Sequence, residues 1–141
     1  MLCSIHVIAG TCVDFSGSYK LQSEYSDEPV ALKIEQIKCD SIILNYTDNN
    51  IVSVDAYELN GQKVKHAEYP EIGLVSYVTP YFKGNDIRID VENRWNDGKS
   101  DKYIRRFHLE FGNNTILLDQ RGDYRNDGVF VPQVQTVYVK I

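Results

Sequence analysis

The chain has 141 residues, 43% hydrophobic and 25% charged, with a net charge of −5. This length suits one domain with its own core, and the composition excludes intrinsic disorder. The acidic balance argues against nucleic acid and anionic membranes as partners, since both need a clustered positive field. No apolar run approaches the roughly 18 residues of a membrane span.

The first eleven residues, Met1 to Thr11, are apolar and break into the small residues Ala9-Gly10-Thr11. They read either as the back half of a secretory signal peptide, its basic n-region missing, or as an opening β-strand. Three cysteines follow the same division. In a periplasmic or secreted protein Cys12 pairs with Cys39, tying the N-terminal lead to the turn at Ile37-Lys38-Cys39-Asp40 and leaving Cys3 over. In a cytosolic protein all three are small half-buried hydrophobes. The expectation is the Cys12–Cys39 disulfide and an exported protein. There is no Cys-x-x-Cys spacing, so neither a zinc ribbon nor a thioredoxin-type redox site is supported.

From residue 12 onward, period-2 alternation dominates. Asp14 to Lys20 opens the first strand, and Val30 to Gln36 sets Val30, Leu32, Ile34 and Gln36 in one phase. Ser41 to Tyr46 and Ile51 to Tyr57 follow, then Gly73 to Thr79. Asp86 to Glu92 is the cleanest strand, with Ile87, Ile89 and Val91 on one face and every charge on the other. Tyr103 to Phe111, Thr115 to Leu118 and Val134 to Ile141 complete the set. No window carries the apolar stripe of an amphipathic helix. The breaks at Asp48-Asn49-Asn50, Asn60-Gly61, Lys83-Gly84-Asn85, Asn96-Asp97-Gly98, Gly112-Asn113-Asn114 and Asn126-Asp127-Gly128 supply residues that tolerate positive φ, as tight hairpins require. An up-and-down meander of this kind leaves two exposed edges unless it closes. The expected fold is a single all-β domain over residues 12–141: an up-and-down antiparallel β-barrel of roughly eight to ten strands with little or no helix.

The opening Asp14-Phe15-Ser16-Gly17-Ser18-Tyr19-Lys20 resembles the Gly-x-Trp start of the lipocalin and fatty-acid-binding-protein superfamily. There the glycine lets the chain cross the barrel floor and the aromatic plugs it. The segment is also similar to small bacterial envelope barrels that open with Cys, a few residues, then Gly-x-Tyr. Those continue into apolar-x-Ile-x-Gln and a Cys turn, here Leu32-Lys33-Ile34-Glu35-Gln36 and Cys39. The resemblance covers about the first 45 residues and implies a lipocalin-like barrel. Tyr19 stands where lipocalins have tryptophan, no Thr-Asp-Tyr motif follows, and the late arginine has only Arg121 as a counterpart. No lipocalin ligand site carries over residue by residue. Without the resemblance, Gly17 is a bend glycine in a curved strand.

Tyr103 to Phe111 is the most informative stretch for chemistry. Tyr103, Phe107, Leu109 and Phe111 share a face, and alternation puts Arg105 among them. A cation on an aromatic inner face suits a carboxylate ligand through charge-assisted pairing; alternatively Arg105 lies at the barrel mouth, or a bulge turns it outward. Gln36, in phase with Leu32 and Ile34, either lines a cavity or bonds a neighbouring strand. The candidate ligand-contacting residues are therefore Arg105, Tyr103, Phe107, Gln36 and Tyr19. Trp95 is either an exposed contact at a hairpin tip or a cap on the barrel end. His6, His66 and His108 have no paired spacing, so no metal site is expected. No serine elbow appears, and neither acid-rich loop has calcium-loop spacing. Arg121-Gly122-Asp123 and the sequons at Asn45 and Asn113 are short enough to arise by chance. The expected function is a non-enzymatic exported barrel, without cofactor, that binds a small apolar or amphipathic molecule. The competing reading is a protein-interaction, inhibitor or structural envelope module acting through loops or an open edge.

Overall fold

The computed structural model describes residues 12–22, 29–110, 112, 114–122 and 134–141. The segment 1–11 with Cys3 and His6, the sequon asparagine Asn113, Asp123 and the turn at Asn126-Asp127-Gly128 lie outside these residues. The strands are β1 (Gly17–Leu21), β2 (Ala31–Ile37), β3 (Ser41–Asp48), β4 (Ile51–Glu58) and β5 (Val64–Tyr69). They continue as β6 (Leu74–Lys83), β7 (Asp86–Trp95), β8 (Ser100–Glu110), β9 (Thr115–Gly122) and β10 (Val134–Lys140). A single 3₁₀ turn at Pro70–Ile72 is the only helical segment among the described residues.

All ten strands form one antiparallel sheet in the order β4-β3-β2-β1-β10-β9-β8-β7-β6-β5. The sheet curls into a half-barrel. Its order is that of a meander in which β1 and β10 are joined by a ladder, Tyr19 opposite Lys140 and Leu21 opposite Tyr138. The two edges are thus β4 and β5, which follow one another in the chain. The expected all-β meander is present; the hydrogen-bond ladder stops between β4 and β5.

The concave face is the core. Leu32, Ile34, Ile42, Leu44, Ile87, Ile89, Phe107, Ile116 and Tyr138 are buried, each in the phase that its strand's alternation dictates. β5 escapes a pattern-based reading because Val64-Lys65-His66-Ala67-Glu68-Tyr69 does not alternate, and its register slips between Lys65 and Ala67. β6 runs on through Pro80 to Lys83, past the end expected at Thr79. Proline is tolerated there because β5 pairs with β6 only from Val64–Val78 to Tyr69–Leu74. A strand residue's N–H and C=O point to the same side, and the Pro80 carbonyl accepts from Gly61 N at 2.8 Å. The missing donor therefore faces the β4–β5 connection and removes no bond from the β7 ladder.

One end of the curled sheet is sealed by the N-terminal lead. Gln36 organises it: its Oε1 accepts from Phe15 N (2.9 Å), and its Nε2 donates to Val13 O (2.9 Å) and Lys38 O (2.7 Å). The Gln36 backbone N–H donates to Ser16 Oγ at 3.1 Å. Phe15 is fully buried, and Tyr19, also buried, donates its hydroxyl to Phe15 O at 2.9 Å. Cys12 and Cys39 stand at disulfide distance, Cα atoms 5.8 Å apart, and fix the lead to the β2–β3 turn. Gly17 turns the lead into β1 at φ +148°, where a Cβ would come 2.7 Å from Lys140 Cε. The positive φ favours glycine there, whereas the flexible Lys140 side chain could move aside.

Closing the 27-residue separation between Cys12 and Cys39 limits the unfolded chain, by about 3 to 3.5 kcal/mol in the chain-entropy treatment. Cys12→Ser and Cys39→Ser are each expected to lower the unfolding free energy by about that amount, measured by urea titration of oxidised protein. Equal stability of oxidised wild type and either variant would show that this link does not stabilise the fold.

Candidate functional site

The sealed end carries the turns 37–41, 58–64 and 83–86. At the opposite end lie the hairpins 48–51, 69–74 and 95–100, and the concave face becomes polar towards it. Arg105 stands on β8 between Ile89 of β7 and Gln120 of β9, in the inward phase that alternation with buried Phe107 predicts. Its guanidinium carbon sits 5.7 Å from the centre of the Phe107 ring. Across the hollow, Tyr46 of β3 brings its hydroxyl to 3.4 Å from Arg105 Nη2. A cation held inside an apolar sheet needs such company, since an uncompensated buried charge is expensive.

Beside Arg105 is a cavity of ≈ 230 Å³ whose walls come from both edges of the sheet and the strands behind them. β4 contributes Asp55 and Tyr57, β5 His66, β7 Asn93, and β8 Tyr103 and Arg105. The β4 and β5 walls touch through side chains: His66 Nε2 lies 3.3 Å from Asp55 Oδ1, and its ring stacks on Tyr57 at 5.2 Å between centroids. Burial pushes the Tyr57 phenol well up, and the neighbouring Asp55 carboxylate adds to the shift. Tyr57 therefore presents a neutral hydroxyl at any physiological pH.

Of the residues singled out from sequence, Arg105 and Tyr103 meet in this cavity, with Phe107 buried beneath the guanidinium. Gln36 and Tyr19 are at the sealed end, where their polar atoms are engaged with the lead. The Gln36 side chain bonds the N-terminal lead and the β2–β3 turn rather than a neighbouring strand. Trp95 ends β7, half-buried, and its N–H donates to Lys99 O at 2.9 Å across the hairpin. Sequence reasoning missed Tyr46, Tyr57, Asp55 and His66. Tyr46 lies in phase with buried Ile42 and Leu44, which signals an inward ring, whereas the residues in phase with Tyr57 on β4 are not buried; nothing local signals that these side chains face β8 and β5.

The convex face has its own polar cluster. Asp119, fully buried, accepts from Arg106 Nε at 2.9 Å and Gln135 Nε2 at 2.9 Å. His108 Nδ1 is 2.6 Å from Asp86 Oδ1. These groups satisfy one another, as buried polar groups must. Six residues further along β7 than Asp86, Glu92 lies between Arg94 and Lys63, with Arg94 Nε at 2.8 Å; hydrogen bonds from these two cations hold its carboxyl down at about 2. Among the described residues no group of three His, Cys, Asp or Glu could hold a metal ion. No helix among them is long and apolar enough to cross a membrane. No protein-family description matches the chain, and no curated protein or solved structure matches it significantly.

Two pH responses follow. Tyr57's raised phenol keeps the folded state from ionising with the unfolded one, so its stabilisation is complete below the ordinary value of 10.0 and declines as pH rises above it. Tyr57→Phe is expected to show a shallower alkaline fall in stability by denaturant titration at successive pH values. Glu92 behaves oppositely: its contribution is present above the ordinary 4.5 and is lost as pH falls towards 2. Because its partners are largely exposed, Glu92→Gln should cost no more than about 1 kcal/mol at neutral pH, with the difference vanishing in acid.

Proposed function

We propose that this protein is an exported, non-enzymatic carrier of lipocalin-like design, its curled sheet working as a barrel that holds a small amphipathic molecule with an acidic head group. The observation that carries this reading is Arg105. Its guanidinium is turned into the concave face, backed by Phe107 and flanked by the hydroxyl of Tyr46. An arginine there offers charge-assisted, geometrically defined recognition of a carboxylate, while the tyrosines supply rigid apolar walls with polar tips. The ≈ 230 Å³ cavity lies just below the roughly 300–1,000 Å³ of drug-sized pockets, which favours a short acyl or single-ring acid. The sealed end supports a pocket with one entrance, and the Cys12–Cys39 pair is compatible with an oxidising compartment.

Two measurements test the proposal. Native mass spectrometry of protein from an oxidising compartment, repeated after denaturation, should release a small acidic molecule. Titration of stripped protein with octanoate and with 1-octanol, followed by calorimetry, should show preference for the acid. Arg105→Gln should weaken octanoate at least tenfold, as expected for losing a hydrogen bond to a charged group worth about 1.5–3 kcal/mol, and leave octanol unchanged. Equal affinity for acid and alcohol, or an unaffected variant, would refute the assignment.

A further inference from the structure

The cavity that Arg105 lines from β8 holds a second charge, Asp55, which lines it from β4. With His66 counted as neutral, its walls carry one fixed charge of each sign. Each charge has its own companion: Asp55 Oδ1 lies 3.3 Å from His66 Nε2, and Arg105 Nη2 lies 3.4 Å from the Tyr46 hydroxyl. The contact with His66 does not enclose the carboxylate, because the Asp55 side chain keeps 33% of its surface accessible. Tyr57 registers both charges. Beyond the effect of burial, its phenol is pushed up by Asp55 and down by Arg105. One hydroxyl that senses both groups places them in a single hollow.

This pairing of signs restricts what the cavity can hold. A plain carboxylate docked on Arg105 adds a second negative charge to walls that already carry Asp55. The excess charge then sits in a half-enclosed space, where it is costly. A ligand that also carries an ammonium group cancels the excess, and a carboxylate is a strong acceptor for a charged N–H donor. The two fixed charges stand on different walls, β4 and β8. Ligand groups that meet both must therefore be separated by a spacer, and the rings of Tyr57 and Tyr103 in the same cavity suit an apolar one.

We infer that the ligand is zwitterionic: a small single-ring or short-chain acid whose carboxylate meets Arg105 and whose ammonium group, at the far end, donates to Asp55. The inference rests on the carrier reading above and narrows its ligand class. Arg105 anchors the acid, and Asp55 selects among acids.

Calorimetric titration of the stripped full chain with 4-(aminomethyl)benzoate and 4-methylbenzoate, two single-ring acids that differ by a terminal amino group, tests the inference. The wild type should bind the aminomethyl compound at least about tenfold more tightly, as expected from one hydrogen bond between charged groups. Asp55→Asn should weaken that compound and strengthen 4-methylbenzoate, because it removes the negative charge that attracts the one and opposes the other. A side chain that merely ties β4 to β5 would, when replaced, weaken both ligands alike. His66→Gln should keep the preference for the aminomethyl compound. Equal affinity of the wild type for the two acids, or an Asp55→Asn variant that keeps the preference or weakens both, would overturn the inference. If Arg105→Gln still weakens 4-methylbenzoate in that event, the carrier reading survives it. If neither these acids nor octanoate bind, the carrier reading falls and this inference with it. Should Asp55→Asn fold poorly, Asp55→Ser is read in its place by the same criteria.

Discussion

Backbone hydrogen bonding runs round the sheet from β4 to β5 and stops, and most of what distinguishes this molecule depends on that stop. Strands that follow one another in sequence normally pair, because a short turn makes the contact cheap. Here β4 and β5 are joined through residues 59–63 and yet are the two ends of the sheet, while β1 and β10 are stitched together. The chain's ends close the curl and its middle leaves it open. The seam between β4 and β5 is bridged by side chains instead, through His66, Asp55 and Tyr57, and the cavity beside Arg105 takes its walls from both edges.

The sheet treats its buried charges in two ways. On the convex side, Asp119 is matched by Arg106 and Gln135, a self-contained arrangement in which removing one member would strand another. On the concave side, Arg105 lies beside the Tyr46 hydroxyl and over the Phe107 ring. The first arrangement fastens neighbouring strands β8, β9 and β10. The second lies on the wall of the cavity, and that position is why the concave group is proposed as a binding residue.

Architecture was largely legible from the chain. Strict alternation in residues 86–92 and 30–36 marked both the strands and the faces they bury, because side chains on a pleated backbone alternate with a period of two whatever the sheet becomes. Asn- and Gly-containing breaks marked the hairpins at 48–51, 83–86 and 95–100, since positive φ is cheap only for a few residue types, but the one at Asn60-Gly61 joins β4 to β5, which do not pair. β5 was not legible: a strand exposed on both faces at a sheet edge has no reason to alternate. The continuation of β6 through Pro80 was equally hidden, because proline is excluded from a strand only where its missing donor would face a partner.

The sequence by itself determined the all-β class, the turn chemistry and a shared phase for Arg105, Tyr103 and Phe107, all local properties of backbone geometry and side-chain period, while leaving open whether a bulge turns Arg105 outward. It also brought Cys12 and Cys39 forward as a pair. Only the tertiary structure decided which strands became edges, that Gln36 serves the sealed end rather than the cavity, and that Tyr46, Tyr57 and His66 surround the hollow. Those outcomes depend on contacts between residues as far apart as Tyr46 and Arg105. Curvature and strand order create such contacts, and period-2 patterning does not encode how far a sheet curls or where its ladder ends.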